Sequence, residues 1–161
     1  NGEDSYWSRG NGWVIAALAK TLSIIPEDAP HRDQYIEDLQ AMAEALVKVQ
    51  REDGFWNVSL HDPTHFGGKE TSGTALFVYG IAYGINNNLL DRDEYLPVIT
   101  KAWNAMISES LHENGFLGWL QSTGKEPKDG QPLSYEKIPD FEDYGLGCFL
   151  LAGAELYRLE Y

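Results

Sequence analysis

The segment YWSRGNGW, residues 6–13, places a cation between two indole rings and beside two glycines. The guanidinium of Arg9 can grip a carboxylate with two hydrogen bonds, because its donors form a planar fork. The rings of Trp7 and Trp13 suit the apolar face of a ligand such as a sugar. These residue types predict a binding site for an anionic ligand with an apolar face. The structural alternatives are an ion pair from Arg9 to a nearby carboxylate such as Asp4, and a core position for Trp13.

Polar residues also precede two later apolar segments. His65, Lys69 and Glu70 precede the segment that begins near residue 72, and Tyr144 begins the segment that closes the chain. Glu70 is interpreted first as a helix-capping residue, since its carboxylate can satisfy free amides at a helix start. Ligand contact is the alternative. His65 is equally consistent with a solvated loop position.

Three carboxylates near the last helix, Asp140, Glu142 and Asp143, have the residue type of a general acid and base. Two carboxyls that flank a glycosidic bond would lie ~5 to 9.5 Å apart. Acidic residues at a helix start are also favoured by the helix dipole, so capping is the preferred interpretation. The sequence has no histidine pair with metal-ligand spacing, no phosphate-binding glycine loop and no nucleophile elbow. It therefore predicts no metal site and no cofactor.

The charge of the chain excludes some partners. Among 161 residues, 12 lysines and arginines stand against 25 aspartates and glutamates, for a net charge of -13. Such a field repels nucleic acid and anionic membranes, so neither is an expected partner. No apolar run reaches the ~18 to 20 residues of a membrane span. The single cysteine, Cys148, lies in the apolar run GCFLLAGAEL and is interpreted as a core residue.

Five predicted helices must position the candidate residues. They cover about 12–22, 32–49, 72–85, 94–111 and 144–157. The first, third and fifth are apolar on nearly all sides, whereas the second and fourth carry a one-sided apolar stripe. This alternation predicts an inner layer of buried helices under an outer layer with one wet face. If the inner helices run in the same direction, their polar starts gather at one end.

A repeat of 61 residues supports a ring of helical hairpins. Gly12 and Gly73, each predicted to open an inner helix, are 61 residues apart, and so are the glycine turns EDGF and ENGF that follow the outer helices. The prediction is an all-α, α/α-hairpin toroid, with an irregular helical bundle as the alternative. Two and a half hairpins cannot close a ring, so we expect an inner helix with an uncovered apolar flank. A missing portion or self-association with a second copy would cover it.

Three segments in order, WSRGNGW with VIAALAKTL, then KETSGTALFVYGIAYGI, then PDFEDYGLGCFLLAGAELYRL, resemble the second half of glycoside hydrolase family 105. These are the unsaturated rhamnogalacturonyl hydrolases, related to the unsaturated glucuronyl hydrolases of family 88. The resemblance covers essentially the whole chain, and RGNGW is its most specific piece. It implies that residues 1–161 form a single unit, about half of an (α/α)6 barrel. The implied substrate is a lyase-generated oligosaccharide that ends in a 4,5-unsaturated uronic acid.

The resemblance also implies a reaction and two site residues. In the family an aspartic acid protonates the C4=C5 double bond, water adds at C5, and the resulting hemiketal opens to release the sugar. Arg9 and Trp13 match family positions that bind the substrate, the first at the uronate and the second against its ring. The catalytic aspartate precedes this motif in the family, and Asp4 is too close to the motif to take that part. The chain is therefore expected to be a C-terminal half that is inactive alone.

Two other functions stay open at the level of sequence. One is a carbohydrate-binding or scaffold module without catalysis. The other is a complete enzyme of a different α/α family that uses Asp140, Glu142 or Asp143 as its acid. The residues do not identify the sugar or the linkage, and for the compartment both the bacterial cytoplasm and the periplasm are consistent with them.

Overall fold

The computed structural model describes residues 4–137 and 142–160 of the chain. In that part the regular elements are five α-helices and a few isolated antiparallel bridges. The helices are α1 (Ser8–Leu22), α2 (Arg32–Lys48), α3 (Thr71–Asn86), α4 (Arg92–Glu109) and α5 (Glu142–Glu160). All five predicted helices are present, and the all-α prediction is confirmed. None of these helices combines the length and the apolar character that crossing a membrane requires.

The start of α1 is the main error in the predicted boundaries. The helix begins at Ser8 rather than Gly12, so Arg9 lies in its first turn and not in a preceding loop. The carbonyl of Trp7 accepts both the backbone amide and the side-chain amide of Asn11 at 2.9 Å. Glycine is a poor helix former, which made Gly10 and Gly12 look like loop residues. The absence of a side chain at Gly12 instead lets α1 pack closely on α3.

The helices form the predicted two layers. The central helix α3 packs against both other inner helices, α1 and α5, and the outer helices α2 and α4 cover it. Every residue from Thr71 to Ile85 is buried. The outer helix α4 also contacts α5, where the rings of Trp103 and Phe149 stack with their centroids 4.5 Å apart. The inner–outer alternation read from the apolar pattern is thereby confirmed.

The two flanking inner helices each leave an apolar side uncovered. Trp13 and Val14 on α1 are about half exposed, and Leu150 on α5 is 60% exposed. The prediction that all three inner helices are buried on every side is wrong for α1 and α5. The expectation of an uncovered apolar flank is confirmed. The reason is geometric, because α3 has an inner helix on each side whereas α1 and α5 each have one.

Glycine turns follow both outer helices, as the sequence repeat predicts. Gly54 and Gly115 have φ values of 94° and 85°, a region that favours glycine. The extended pieces after these turns form only isolated bridges, such as those of Ser59 with Trp7 and of Leu111 with Leu117. In the core, Cys148 is buried, and this burial raises its pKa to about 12. The core interpretation of this cysteine is confirmed.

The close approach of α1 and α3 predicts a large cost for a methyl group at position 73. A Cβ on Gly73 would lie 2.8 Å from Oγ and 2.9 Å from the carbonyl carbon of Ser8. Gly73→Ala is therefore expected to lower the free energy of unfolding by about 1–3 kcal/mol, as overpacking does. In the matched control Gly147→Ala on α5, the added Cβ meets nothing within 4 Å. Helix propensity then predicts unchanged or higher stability. Urea unfolding followed by circular dichroism measures both, and equal stabilities would contradict the close approach.

Candidate ligand-binding site

The starts of the three inner helices meet at one end of the molecule. The first turn of α1 lies against the start of α3 at Gly73, and the side chain of Arg9 reaches Tyr144 in the first turn of α5. The starts of α1, α3 and α5 are therefore close together, as predicted for inner helices that run in the same direction. Helix starts present unpaired amides and a partial positive charge. The end of the molecule where they meet therefore favours an anionic group.

Arg9 is a buried cation held between two aromatic rings. It is 3% exposed, and its guanidinium carbon lies 4.5 Å from the ring centroid of Trp7 and 5.6 Å from that of Tyr144. Its Nη1 donates to the carbonyl of Gln121 at 3.3 Å and to the Tyr144 hydroxyl at 3.0 Å. Its Nη2 is buried and has no hydrogen-bond partner within residues 4–137 and 142–160. One donor nitrogen of the guanidinium thus lacks an acceptor in the described part of the chain.

The ion pair offered as the alternative role of Arg9 is absent from the described residues. The ion pairs among these residues join each carboxylate to a lysine or an arginine other than Arg9. Asp4 is exposed and makes no such pair with Arg9, and Glu3 lies outside the described residues. A buried cation at the positive end of a helix, with no carboxylate of the described residues in ion-pair contact, is electrostatically unfavourable. An anionic ligand would remove that cost.

Tyr144 supplies a neutral hydroxyl to the site. Burial, together with the nearby carboxylate of Glu70, raises the pKa of Tyr144 to about 12. The hydroxyl donates to the carbonyl of Gln121 and accepts from Arg9. At neutral pH it therefore stays protonated, and it holds the guanidinium in place without neutralising it.

Glu70 is the buried N-cap of α3. Its carboxylate accepts from the amides of Ser72 and Gly73 at 3.0 and 2.6 Å and from the Ser72 hydroxyl at 2.8 Å. It also accepts from the amide of Gln121 at 3.2 Å. The capping interpretation is confirmed. All of this carboxylate's described contacts are with donors of the protein itself.

Trp13 is not a core residue. It is 48% exposed and lies one helical turn beyond Arg9 on α1, where side chains four residues apart are neighbours. The core alternative for Trp13 is therefore wrong, and its contact with substrate stays a prediction. The indole in contact with Arg9 is that of Trp7, which precedes the helix as its N-cap.

Two predicted members of the site make their contacts elsewhere. Lys69 pairs with Glu109 and lies 3.8 Å from a carboxylate oxygen of Asp53. The ring of His65 packs on that of Phe66, with the centroids 4.2 Å apart. Neither residue contacts Arg9, Trp7 or Tyr144 in the described structure. The structure therefore does not support a position of Lys69 and His65 beside Arg9.

The side chains of the acidic cluster at the start of α5 lie outside the described part of the structure. Asp140 lies outside the described residues, as do the side chains of Glu142 and Asp143. Within residues 4–137 and 142–160, no three acidic, histidine or cysteine side chains are grouped as metal ligands would be.

The sequence interpretation missed Gln121, which connects the parts of the site. This residue is fully buried. Its side-chain oxygen accepts from the indole N–H of Trp7 at 2.8 Å, and its carbonyl accepts from Arg9 and Tyr144. The only sequence signal is a lone amide at the end of the apolar piece FLGWLQ.

Comparison with known proteins places the chain among glycoside hydrolases. The family model described as Glycosyl Hydrolase Family 88 matches residues 1–160. The unsaturated 3S-rhamnoglycuronyl hydrolase of Formosa agariphila is 39% identical over 160 residues, which make up 99% of this chain and 41% of that protein. The chain thus spans about two fifths of the length of this relative.

Solved structures agree with the sequence comparison. The glycosyl hydrolase family 88 structure from Bacteroides vulgatus has a TM-score of 0.89 and 42% identity, covering 98% of this chain and 44% of that chain. A Salmonella enterica structure described as a possible member of GH105 family has a TM-score of 0.80 and 27% identity, covering 98% of this chain and 41% of that chain. These matches confirm the helical toroid and the resemblance carried by RGNGW. The chain belongs to glycosyl hydrolase family 88.

Proposed function

We propose that this chain forms the uronate-binding part of an enzyme that removes a terminal 4,5-unsaturated uronic acid from lyase-generated oligosaccharides. The observation that carries the proposal is Nη2 of Arg9, a buried donor at the meeting point of three helix starts that has no hydrogen-bond partner and no ion pair among the described residues. A uronate carboxylate supplies the acceptor and the negative charge that this nitrogen lacks. The names of the family relatives fit this substrate class.

The described residues suit binding better than proton transfer. A general acid works best when its pKa lies near the operating pH, whereas that of Tyr144 is raised to about 12. The carboxylate of Glu70 already accepts four donors of the protein. We therefore assign orientation of the uronate to Arg9 and packing against the sugar ring to Trp13.

The proposed reaction adds one water across the double bond and then breaks two C–O bonds, one in the ring and one at the glycosidic linkage. An aspartic acid outside the described residues donates its proton to C4 of the enol ether, and water adds at C5. The hemiketal at C5 then opens by breaking the ring bond from C5 to O5, which leaves a ketone at C5 and a hemiacetal at C1. Collapse of this hemiacetal to an aldehyde breaks the bond from C1 to the glycosidic oxygen and releases the shortened oligosaccharide. Arg9 holds the carboxylate on C5 and so places the double bond. The 161-residue chain, without that acid, is proposed to bind this substrate and leave it unchanged.

Titration of the chain with an unsaturated digalacturonide tests this proposal. Calorimetry or tryptophan fluorescence reports binding, and the ultraviolet absorbance of the conjugated double bond reports turnover. We expect saturable binding with constant absorbance. Absence of binding at millimolar ligand would overturn the binding role, and loss of absorbance would overturn the assignment of the acid to another part of the protein.

The domain organisation is also a proposal. We propose that residues 1–161 are a single unit, the C-terminal portion of an (α/α)6-barrel catalytic domain. All five helices contribute to one hydrophobic core, which supports a single unit. The family 88 structure of similar fold has more than twice the length of this chain, which supports a larger barrel.

The uncovered flank predicts self-association of the 161-residue chain. Leu146, Leu150 and Tyr157 are exposed and share one side of α5. Burying this side against a second copy would remove apolar surface from water. Light scattering is expected to give a mass above 18.1 kDa that falls on dilution. Leu150→Glu should favour the monomer, whereas Ile24→Glu, an exposed position beyond the end of α1, should leave the mass unchanged. A wild-type monomer at high concentration would contradict the prediction.

A further inference from the structure

We infer that Gln121 is a positioning residue of this site, whose side-chain amide holds the Trp7 indole against Arg9 and fastens the 122–137 segment to the same place. The choice of the unsaturated digalacturonide as the test ligand rests on the proposed function. The geometry of Gln121 does not depend on it.

The backbone of Gln121 connects the starts of the three inner helices. Its amide donates to the carboxylate of Glu70, the cap of α3, at 3.2 Å. Its carbonyl accepts from Nη1 of Arg9 on α1 at 3.3 Å and from the hydroxyl of Tyr144 on α5. A displacement of the Gln121 backbone would therefore disturb hydrogen bonds at all three helix starts.

The side chain of Gln121 has only one orientation that satisfies its partners. Its Oε1 faces the indole Nε1–H of Trp7 at 2.8 Å, and an indole can only donate. Its Nε2 faces the carbonyls of Pro127 and Asp129 at 2.9 and 2.6 Å, and carbonyls can only accept. All hydrogen-bonding groups of this fully buried amide are thus used. Neither glutamate nor an apolar side chain of the same length could replace it.

The bond to Trp7 matters because the Trp7 ring lies against the guanidinium of Arg9. The centroid of this ring is 4.5 Å from the guanidinium carbon, a distance at which a cation is attracted to an aromatic face. Fixing the indole keeps this contact and leaves Nη2 of Arg9 as a donor without a partner among the residues that the structure describes. Preorganising a charged donor in this way lowers the cost of binding its ligand.

The bonds to Pro127 and Asp129 hold the 122–137 segment near Arg9. Within that segment, the Asp129 carboxylate accepts from the amides of Lys125 and Glu126 at 2.7 and 3.0 Å, which closes a turn. These amides lower the pKa of Asp129, and the positive charge of Arg9 also contributes. This electrostatic effect of Arg9 on the pKa of Asp129 agrees with a position of the turn close to Arg9.

Gln121→Met tests the inference, with Gln131→Met as the matched control. Both variants replace a glutamine by an apolar side chain of similar length in the same connection. In the described part of the chain, the side-chain amide of Gln131 has one long contact, 3.5 Å to the carbonyl of Pro127. Gln121→Met is expected to weaken binding of the unsaturated digalacturonide about tenfold, the effect of losing a hydrogen-bonded positioning contact. Gln131→Met should leave binding within about twofold of wild type.

Two further measurements do not require the ligand. Hydrogen exchange of the Trp7 indole N–H is expected to be slower in the wild type than that of Trp13, which is half exposed. In Gln121→Met this exchange should accelerate, whereas that of Trp119, which donates to the carbonyl of Glu109 at 3.1 Å, should not. Trypsin cleavage after Lys125 and Lys128 should also accelerate in Gln121→Met.

The outcomes separate this inference from the proposed function. If the wild type does not bind the digalacturonide while the exchange and cleavage effects are present, the proposed function fails and the role of Gln121 in positioning Trp7 stands. Rapid exchange of the Trp7 indole in the wild type overturns the inference, and this measurement remains decisive if Gln121→Met does not fold. Equal effects of the two methionine variants would also overturn it.

Discussion

Replacing Glu70 by alanine is expected to lower the free energy of unfolding by about 3 to 5 kcal/mol, the usual cost of breaking a buried charged network. The carboxylate is fully buried and accepts the first free amides of α3, the Ser72 hydroxyl and the amide of Gln121. Alanine would leave these donors buried without partners, and each such group carries a desolvation penalty. Because α3 is the central helix, the loss also affects the packing of its neighbours. Chemical denaturation monitored by circular dichroism gives this difference directly.

Asp91→Ala provides the matched control for the Glu70 prediction. Asp91 caps the start of α4 and accepts only the amide of Glu94, at 2.9 Å, on the exposed side of the molecule. Its loss should cost about 1 kcal/mol, typical of an N-cap whose amides water can reach. If the two variants lost the same stability, Glu70 would act as an ordinary cap and its network would contribute nothing more.

Replacing Arg9 by glutamine is expected to weaken uronate binding by about a hundredfold, because a hydrogen bond to a charged group contributes up to about 3 kcal/mol. Glutamine keeps a polar side chain and removes the charge and the fork. The decisive quantity is the ratio of affinities for the free uronate and for its methyl ester. The wild type should prefer the free acid strongly, whereas the variant should bind the two about equally. Calorimetric titrations with both ligands measure this ratio.

A general loss of structure would change both affinities together, so the ratio distinguishes the charge of Arg9 from its packing. Arg158→Gln is the matched control. This arginine lies near the other end of α5, is more than half exposed and pairs at 3.0 Å with Glu155. The control should keep the wild-type preference. An unchanged preference in Arg9→Gln would mean that another cation recognises the carboxylate.

The helices and their layers could be predicted because they depend on local pattern. The apolar run of α3 is long enough to be buried on all sides, and its capping residue Glu70 stands directly before it. The resemblance of RGNGW to a family motif identified Arg9 before its surroundings were known. In each case the signal lies within a few neighbouring residues.

The connections within the site could not be predicted, because they join residues that are distant in sequence. Gln121 bonds to Trp7 across 114 positions, and Arg9 bonds to Tyr144 across 135. No periodicity or spacing marks such pairs in a single sequence. The start of α1 was missed for a related reason, since Gly12 is tolerated in the helix only because it packs against α3.

A crystal structure of the chain with the unsaturated digalacturonide bound would test directly whether Arg9 binds the uronate. We predict that the uronate carboxylate lies about 3 Å from Nη2 of Arg9, the range of a charge-assisted hydrogen bond, with the sugar ring near Trp13. A carboxylate bound at another cation, with Nη2 of Arg9 still without an acceptor, would contradict it.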